Sequence, residues 1–137
     1  MKQVLSVEQM KHLQELGLDT SDASMYWARV SHGSRVDDKS KGKWFLSLHK
    51  EFQTCGFMSY ESIPTYTLQD ILDRLPCFIG THVLTLQKLA NSGTCLYMEP
   101  YSRSILNLTE SKEPIDAAYD MLCWCIENGY VKVGKEE

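Results

Sequence analysis

Cysteine and histidine most readily supply nucleophiles, general bases and soft metal ligands, and the chain carries five of the first and four of the second. Cys123 and Cys125 are the closest pair, in a segment of helical pattern. Two positions apart on a helix, at ~100° per residue, their side chains diverge by about 200° and cannot close on one ion. No C-x-x-C pair and no paired-histidine spacing accompanies them, so the thiols read as small core residues. His12, His32, His49 and His82 are spread over a predicted helix, a loop and two strands, with nothing in the spacing to bring one to a cysteine. Cys95 and His82, the pair most open to a nucleophile and base reading, fall far apart along one predicted hairpin.

Carboxylates and cations give two further patterns. Asp116, Asp120 and Glu127 line one strip of the last predicted helix. Acids near a helix N-terminus are favoured by its dipole, so the strip reads as a solvated face. Gly42-Lys43 lacks the following Ser or Thr and the upstream Gly of a phosphate-binding loop. From residue 29 to 43 stand Arg29, Arg35, Lys39, Lys41 and Lys43 against Asp37 and Asp38, a local excess of 5 − 2 = +3. Trp27 and Trp44 flank this stretch and could stack on bases, the basis for reading it as a nucleic-acid contact. The whole chain opposes that reading, because 14 Lys plus Arg against 18 Asp plus Glu leave a net charge of −4. No catalytic residue, metal or cofactor is expected. The residues with the character of an interaction surface are Trp27, Arg35, Lys39, Lys41, Trp44 and Trp124.

The elements that must position these residues follow from caps and periodicity. Ser6 with Gln9 forms a capping box for a helix from about residue 7 to 16, and Gly17 stops it. Thr67 with Asp70 repeats the device for a short helix that ends before Pro76. Met25 to Val30 and Lys43 to His49 read as strands; the polar stretch from 31 to 42 between them reads as a mobile loop.

Thr81 to Ala90 and Thr94 to Glu99 flank Asn91-Ser92-Gly93, which predicts a hairpin with a three-residue loop. In that register Leu86 opposes Met98, and Leu84, Leu86, Leu96 and Met98 share the core face. Ser104 to Leu108 supplies a further strand. Pro114 to Asn128 is a helix with Pro in its first turn and Gly129 as its stop. Its apolar girth exceeds one sheet face: Ile115, Leu122 and Ile126 would dock on the sheet, and Met121 and Trp124 on another surface. The expected fold is α+β, one domain over 1–137, with three helices and a largely antiparallel sheet of about five strands against which the C-terminal helix packs.

The 137 residues, 43% apolar, suffice for one core. No run approaches the roughly 18 apolar residues needed to cross a bilayer, and the first residues lack the pattern of a signal peptide. Five unevenly spaced cysteines suit a reducing compartment, so a cytoplasmic location with no membrane association is expected.

The segments IPTYTLQDILDRLP (63–76) and IDAAYDMLCWCIENGYV (115–131), with VEQMKHLQELGLD ahead of them, resemble a family of uncharacterised small proteins encoded in Bacteroidales genomes and their prophages. The resemblance spans about half the chain and carries no activity. The resemblance implies an accessory protein of a mobile element. With every catalytic spacing failing, the expected function is non-catalytic protein interaction or self-association. A nucleic-acid contact through residues 29–43 is the alternative, and a small enzyme without a recognisable motif the second.

Overall fold

Each of the first two helices begins where a side chain takes over an unpaired backbone amide. At α1 (Val7–Glu15), Ser6 accepts from the Gln9 amide and the Gln9 side chain returns to the Ser6 amide. At α2 (Leu68–Arg74), Thr67 and Asp70 make the same reciprocal pair. Such boxes satisfy two of the free amides that a helix start exposes. Gly17, at φ +97°, ends the first helix, and Leu75 turns extended before Pro76 to end the second.

The computed structural model describes residues 2–32, 43–48 and 59–134, and places them in an α+β fold with antiparallel pairing throughout. β1 (Met25–His32) lies between β2 (Phe45–Ser47) and β3 (Ser59–Thr65) in a three-stranded sheet. β4 (Phe78–Ile79), β5 (His82–Lys88), β6 (Gly93–Met98) and β7 (Ile105–Ser111) form a four-stranded sheet in chain order. The single sheet of about five strands is therefore corrected to two sheets. β3 escapes sequence reading because Ser59 to Thr65 has no apolar alternation and contains Pro64, tolerated because β3 is an edge strand. The mobile loop expected over 31–42 lies for the most part outside the described residues.

α3 (Pro114–Glu127) packs on the four-stranded sheet over β6 and β7, and α2 packs against α3. The core gathers Leu5, Met10, Leu13, Tyr66, Ile71, Cys95, Tyr97, Met121, Leu122 and Cys125. Leu5 joins the halves: its amide donates to the Tyr66 carbonyl, and its own carbonyl accepts from Trp27 Nε1 at 2.8 Å and Thr65 Oγ1 at 2.8 Å.

The hairpin register differs from expectation. Lys88 pairs with Gly93, so the turn holds Leu89, Ala90, Asn91 and Ser92, and Leu86 lies opposite Cys95. Leu84 and Leu86 share the face of Tyr97 and Cys95, while Leu96 and Met98 lie on the other face with Thr85 and Val83. The reason is Gly93. A Cβ on it would sit 2.6 Å from Pro114 Cα, so Gly93 belongs to β6 as the close approach to α3 and cannot serve as the loop residue.

Candidate functional site

The core face of the four-stranded sheet is made of cross-strand rows. One row is Leu84, Tyr97 and Asn107; the next is Leu86, Cys95 and Thr109. α3 covers them. Thr109 Oγ1 donates to the Ala117 carbonyl at 2.7 Å, and Asn107 Nδ2 reaches Met121 Sδ at 3.6 Å. Met121 is therefore a sheet-facing residue, which corrects its placement on a separate surface with Trp124. Tyr97 is fully buried and donates its O–H to the Pro76 carbonyl at 2.7 Å. Burial pushes the thiols of Cys95 to about 12 and Cys125 to about 11, so both stay protonated at neutral pH.

The opposite face is partly exposed: Leu96 at its centre is only 4% exposed, while the ends of its rows lie open. Phe78, Val83, Met98 and Ile105 form one continuous row, and Thr85, Leu96 and Leu108 the next. Only in the third row, Gln87, Thr94 and Glu110, does the face become polar. Phe78 is 65% exposed, Ile105 49% and Leu108 45%. Leu106 is the extra residue of a bulge in β7 and is also exposed.

A histidine does meet a cysteine, between α1 and α3. His12 Nδ1 lies 2.6 Å from Tyr119 Oη and 3.8 Å from Cys123 Sγ. The phenol makes the short contact and so occupies the ring nitrogen that a base would offer the thiol. Burial pushes the Cys123 thiol up to about 11, the Tyr119 contact opposing and the Asp120 and Glu127 charges adding to the rise. Nucleophilic cysteines need the reverse shift. The cluster acts as a polar seam between two helices. Spacing could not reveal it, because His12 and Cys123 are 111 residues apart.

Asp70 is a second junction missed from sequence. Besides capping α2 it accepts from Ser24 Oγ at 2.6 Å and the Ser24 amide at 3.1 Å, tying the approach to β1 onto α2. Nearby, Tyr66 donates to Asp22 Oδ1 at 2.7 Å and Arg74 pairs with Asp22 Oδ2 at 3.0 Å. Burial first, then the Asp22 bond, pushes the Tyr66 phenol well above its ordinary value. Every charge in this group has a partner, as a structural network requires.

The expected interaction residues are dispersed. Trp27 is half-buried with its indole N–H on Leu5; Trp44 is half-buried under the Arg29 guanidinium, 4.3 Å from its ring centroid. Arg29 also pairs with Glu61 at 2.9 Å, so its charge is already engaged. Arg35, Lys39 and Lys41 lie outside the described residues. Trp124 is half-buried on α3 and stacks on Tyr130 at 5.4 Å.

Cys77, Cys95, Cys123 and Cys125 are free thiols, and Cys55 lies outside the described residues. Among the described residues no group of three or more His, Cys, Asp and Glu side chains could hold a metal ion, and no helix is long and apolar enough to cross a membrane. Surface hollows of about 290 Å³ beside Asn91 and Pro114, and about 320 Å³ beside Asp19 and Tyr26, lie apart from the His12 cluster. No family model, curated protein or solved structure matches the chain.

Proposed function

We propose that this chain is a non-catalytic protein-interaction module that uses the side of its four-stranded sheet opposite α3, where Phe78, Ile105 and Leu108 are exposed. The observation that carries the reading is the unbroken row Phe78, Val83, Met98 and Ile105, backed by Leu96 and Leu108 and bounded by Gln87, Thr94 and Glu110. Open to water at Phe78, Ile105 and Leu108, the face has little physical reason to collect these side chains unless a partner covers them. Four strands about 4.8 Å apart, and two rows about 7 Å apart, give an apolar area on the order of 250 Å². That is well under the ~800 Å² per partner of a standard interface between folded proteins. The scale suits a peptide segment of a partner. An accessory role, implied by the resemblance to small Bacteroidales and prophage proteins, agrees with this.

The test is selection of a displayed peptide library on the immobilised protein, repeated with the Phe78→Lys/Leu108→Lys double variant. Both positions are exposed, so the variant keeps its fold. Selected peptides should bind the parent and lose about tenfold or more on the double variant, while Trp44→Ala binds as the parent does. Equal binding to parent and double variant would overturn the reading.

A further inference from the structure

β7 is the last strand of its sheet, and among the described residues nothing pairs with its outer edge. α3 runs back along it, Ala117 over Thr109 and Met121 beside Asn107. Taking Ala117 as zero, a turn of ~100° per residue puts Met121 at about +40° and Cys125 at about +80°. Cys125 reaches the Tyr97 phenol on β6, so positive angles lead inward across the sheet. Negative angles lead outward past β7, and there lie Trp124 at about −20°, Asp120 at about −60° and Glu127 at about −80°. The open backbone edge is therefore overhung by a half-buried tryptophan and two carboxylates, with Glu110 on the strand itself.

Asp116, next on the helix, is held by Lys2 Nζ at 2.8 Å, but no cation pairs with Asp120 or Glu127 among the described residues. Burial, and then repulsion from Asp116, hold the Asp120 carboxyl above the usual aspartate range, a direction that an incoming cation would reverse.

We infer that an extended peptide of a partner protein, with lysine or arginine alternating with aliphatic residues, adds as a further strand along β7. The inference rests on the interaction reading above and names its ligand class. Main-chain hydrogen bonds to the free edge hold the peptide, and alternate side chains face the two sides of the enlarged sheet. On one side its aliphatic residues extend the apolar rows at Ile105 and Leu108. On the other its cations meet Asp120 and Glu127 beneath α3. A second copy of the chain supplies no cation matched to this strip from its own β7, ILNLTES.

The probe is an acetylated Lys-Val-Lys-Val-Lys-Val-Lys peptide, titrated into the full ¹⁵N-labelled chain. Three comparisons accompany it: the same peptide with Glu for Lys, one N-methylated at alternate amides, and the Asp120→Lys/Glu127→Lys variant. Expected are shifts confined to the β7 amides and the Trp124 indole, about tenfold weaker binding to the charge-reversed variant with a gain for the Glu peptide, and loss of binding on N-methylation. Full binding by the N-methylated peptide would reduce the effect to charge attraction and overturn the strand addition. So would an unchanged affinity on charge reversal, a peptide-free sedimentation mass of twice the chain, or no binding at all. Shifts on Phe78, Val83 and Met98 without β7 would overturn this inference and leave the interaction reading standing.

Discussion

The two faces of the four-stranded sheet differ little in composition and greatly in surroundings. Toward α3 the rows present Leu84, Tyr97, Leu86 and Cys95; away from it they present Phe78, Val83, Met98, Ile105, Leu96 and Leu108. β5 is apolar on both sides from Val83 to Leu86, apart from Thr85. Hydrophobicity alone therefore does not say which side is the core. What separates the faces is polar detail: Tyr97, Asn107 and Thr109 each find a hydrogen-bond partner on the inner side. On the outer rows Thr85 bonds only within its own strand, its Oγ1 donating to the Val83 carbonyl at 3.2 Å.

That contrast can be broken from the inside first. Tyr97→Ala removes a fully buried ring and its bond to Pro76, and should cost about 3–5 kcal/mol in urea unfolding. A loss below 1 kcal/mol would mean that the inner face is not the core. Gly93→Ala forces a methyl against Pro114 and should cost about 1–3 kcal/mol.

The Asp120→Asn substitution should raise the melting temperature slightly at neutral pH. The folded carboxyl titrates above its unfolded value, so the ionised form is disfavoured by folding. The gain over the parent should be present when both states are ionised and should close as pH falls below the ordinary aspartate range. A gain that grows in acid would contradict the direction of the shift. On the outer face, Leu108→Lys should change stability by no more than about 0.5 kcal/mol, because the side chain is already 45% exposed. A loss comparable with that of Tyr97→Ala would show that the outer row is covered within the chain.

Local chemistry was legible in the sequence. Ser6 with Gln9 and Thr67 with Asp70 state their helix starts within four residues, and both boxes form. Gly129, at φ +80°, follows the end of α3 as read. What failed was whatever a distant partner decides. The hairpin register turned on the approach of Gly93 to Pro114, and a shift of odd length moved Leu96 and Met98 to the other face. The broad apolar girth of α3 was visible, yet the side taken by Met121 was set by Asn107. Within the candidate site, Trp124 was singled out and is half-buried against the core and Tyr130, while β7 as an open edge could be seen only once strand order was known.

The polar seam between α1 and α3 has a consequence for how the chain emerges during synthesis. Lys2 binds Glu113 and Asp116, Gln9 binds Asp116, and His12 meets Tyr119 and Cys123, so the first helix has its polar partners more than a hundred residues downstream. At about 5–20 residues per second, a ribosome needs about 5–20 s to supply them. Through that interval the nine-residue α1, too short to persist alone, has its Met10 and Leu13 side exposed. A chaperone that holds short amphipathic segments would find this nascent chain a substrate until the last helix clears the exit tunnel, and ribosome-bound chains carried beyond the tunnel on a flexible linker should differ sharply in protease resistance according to whether they end before α3 or after residue 127.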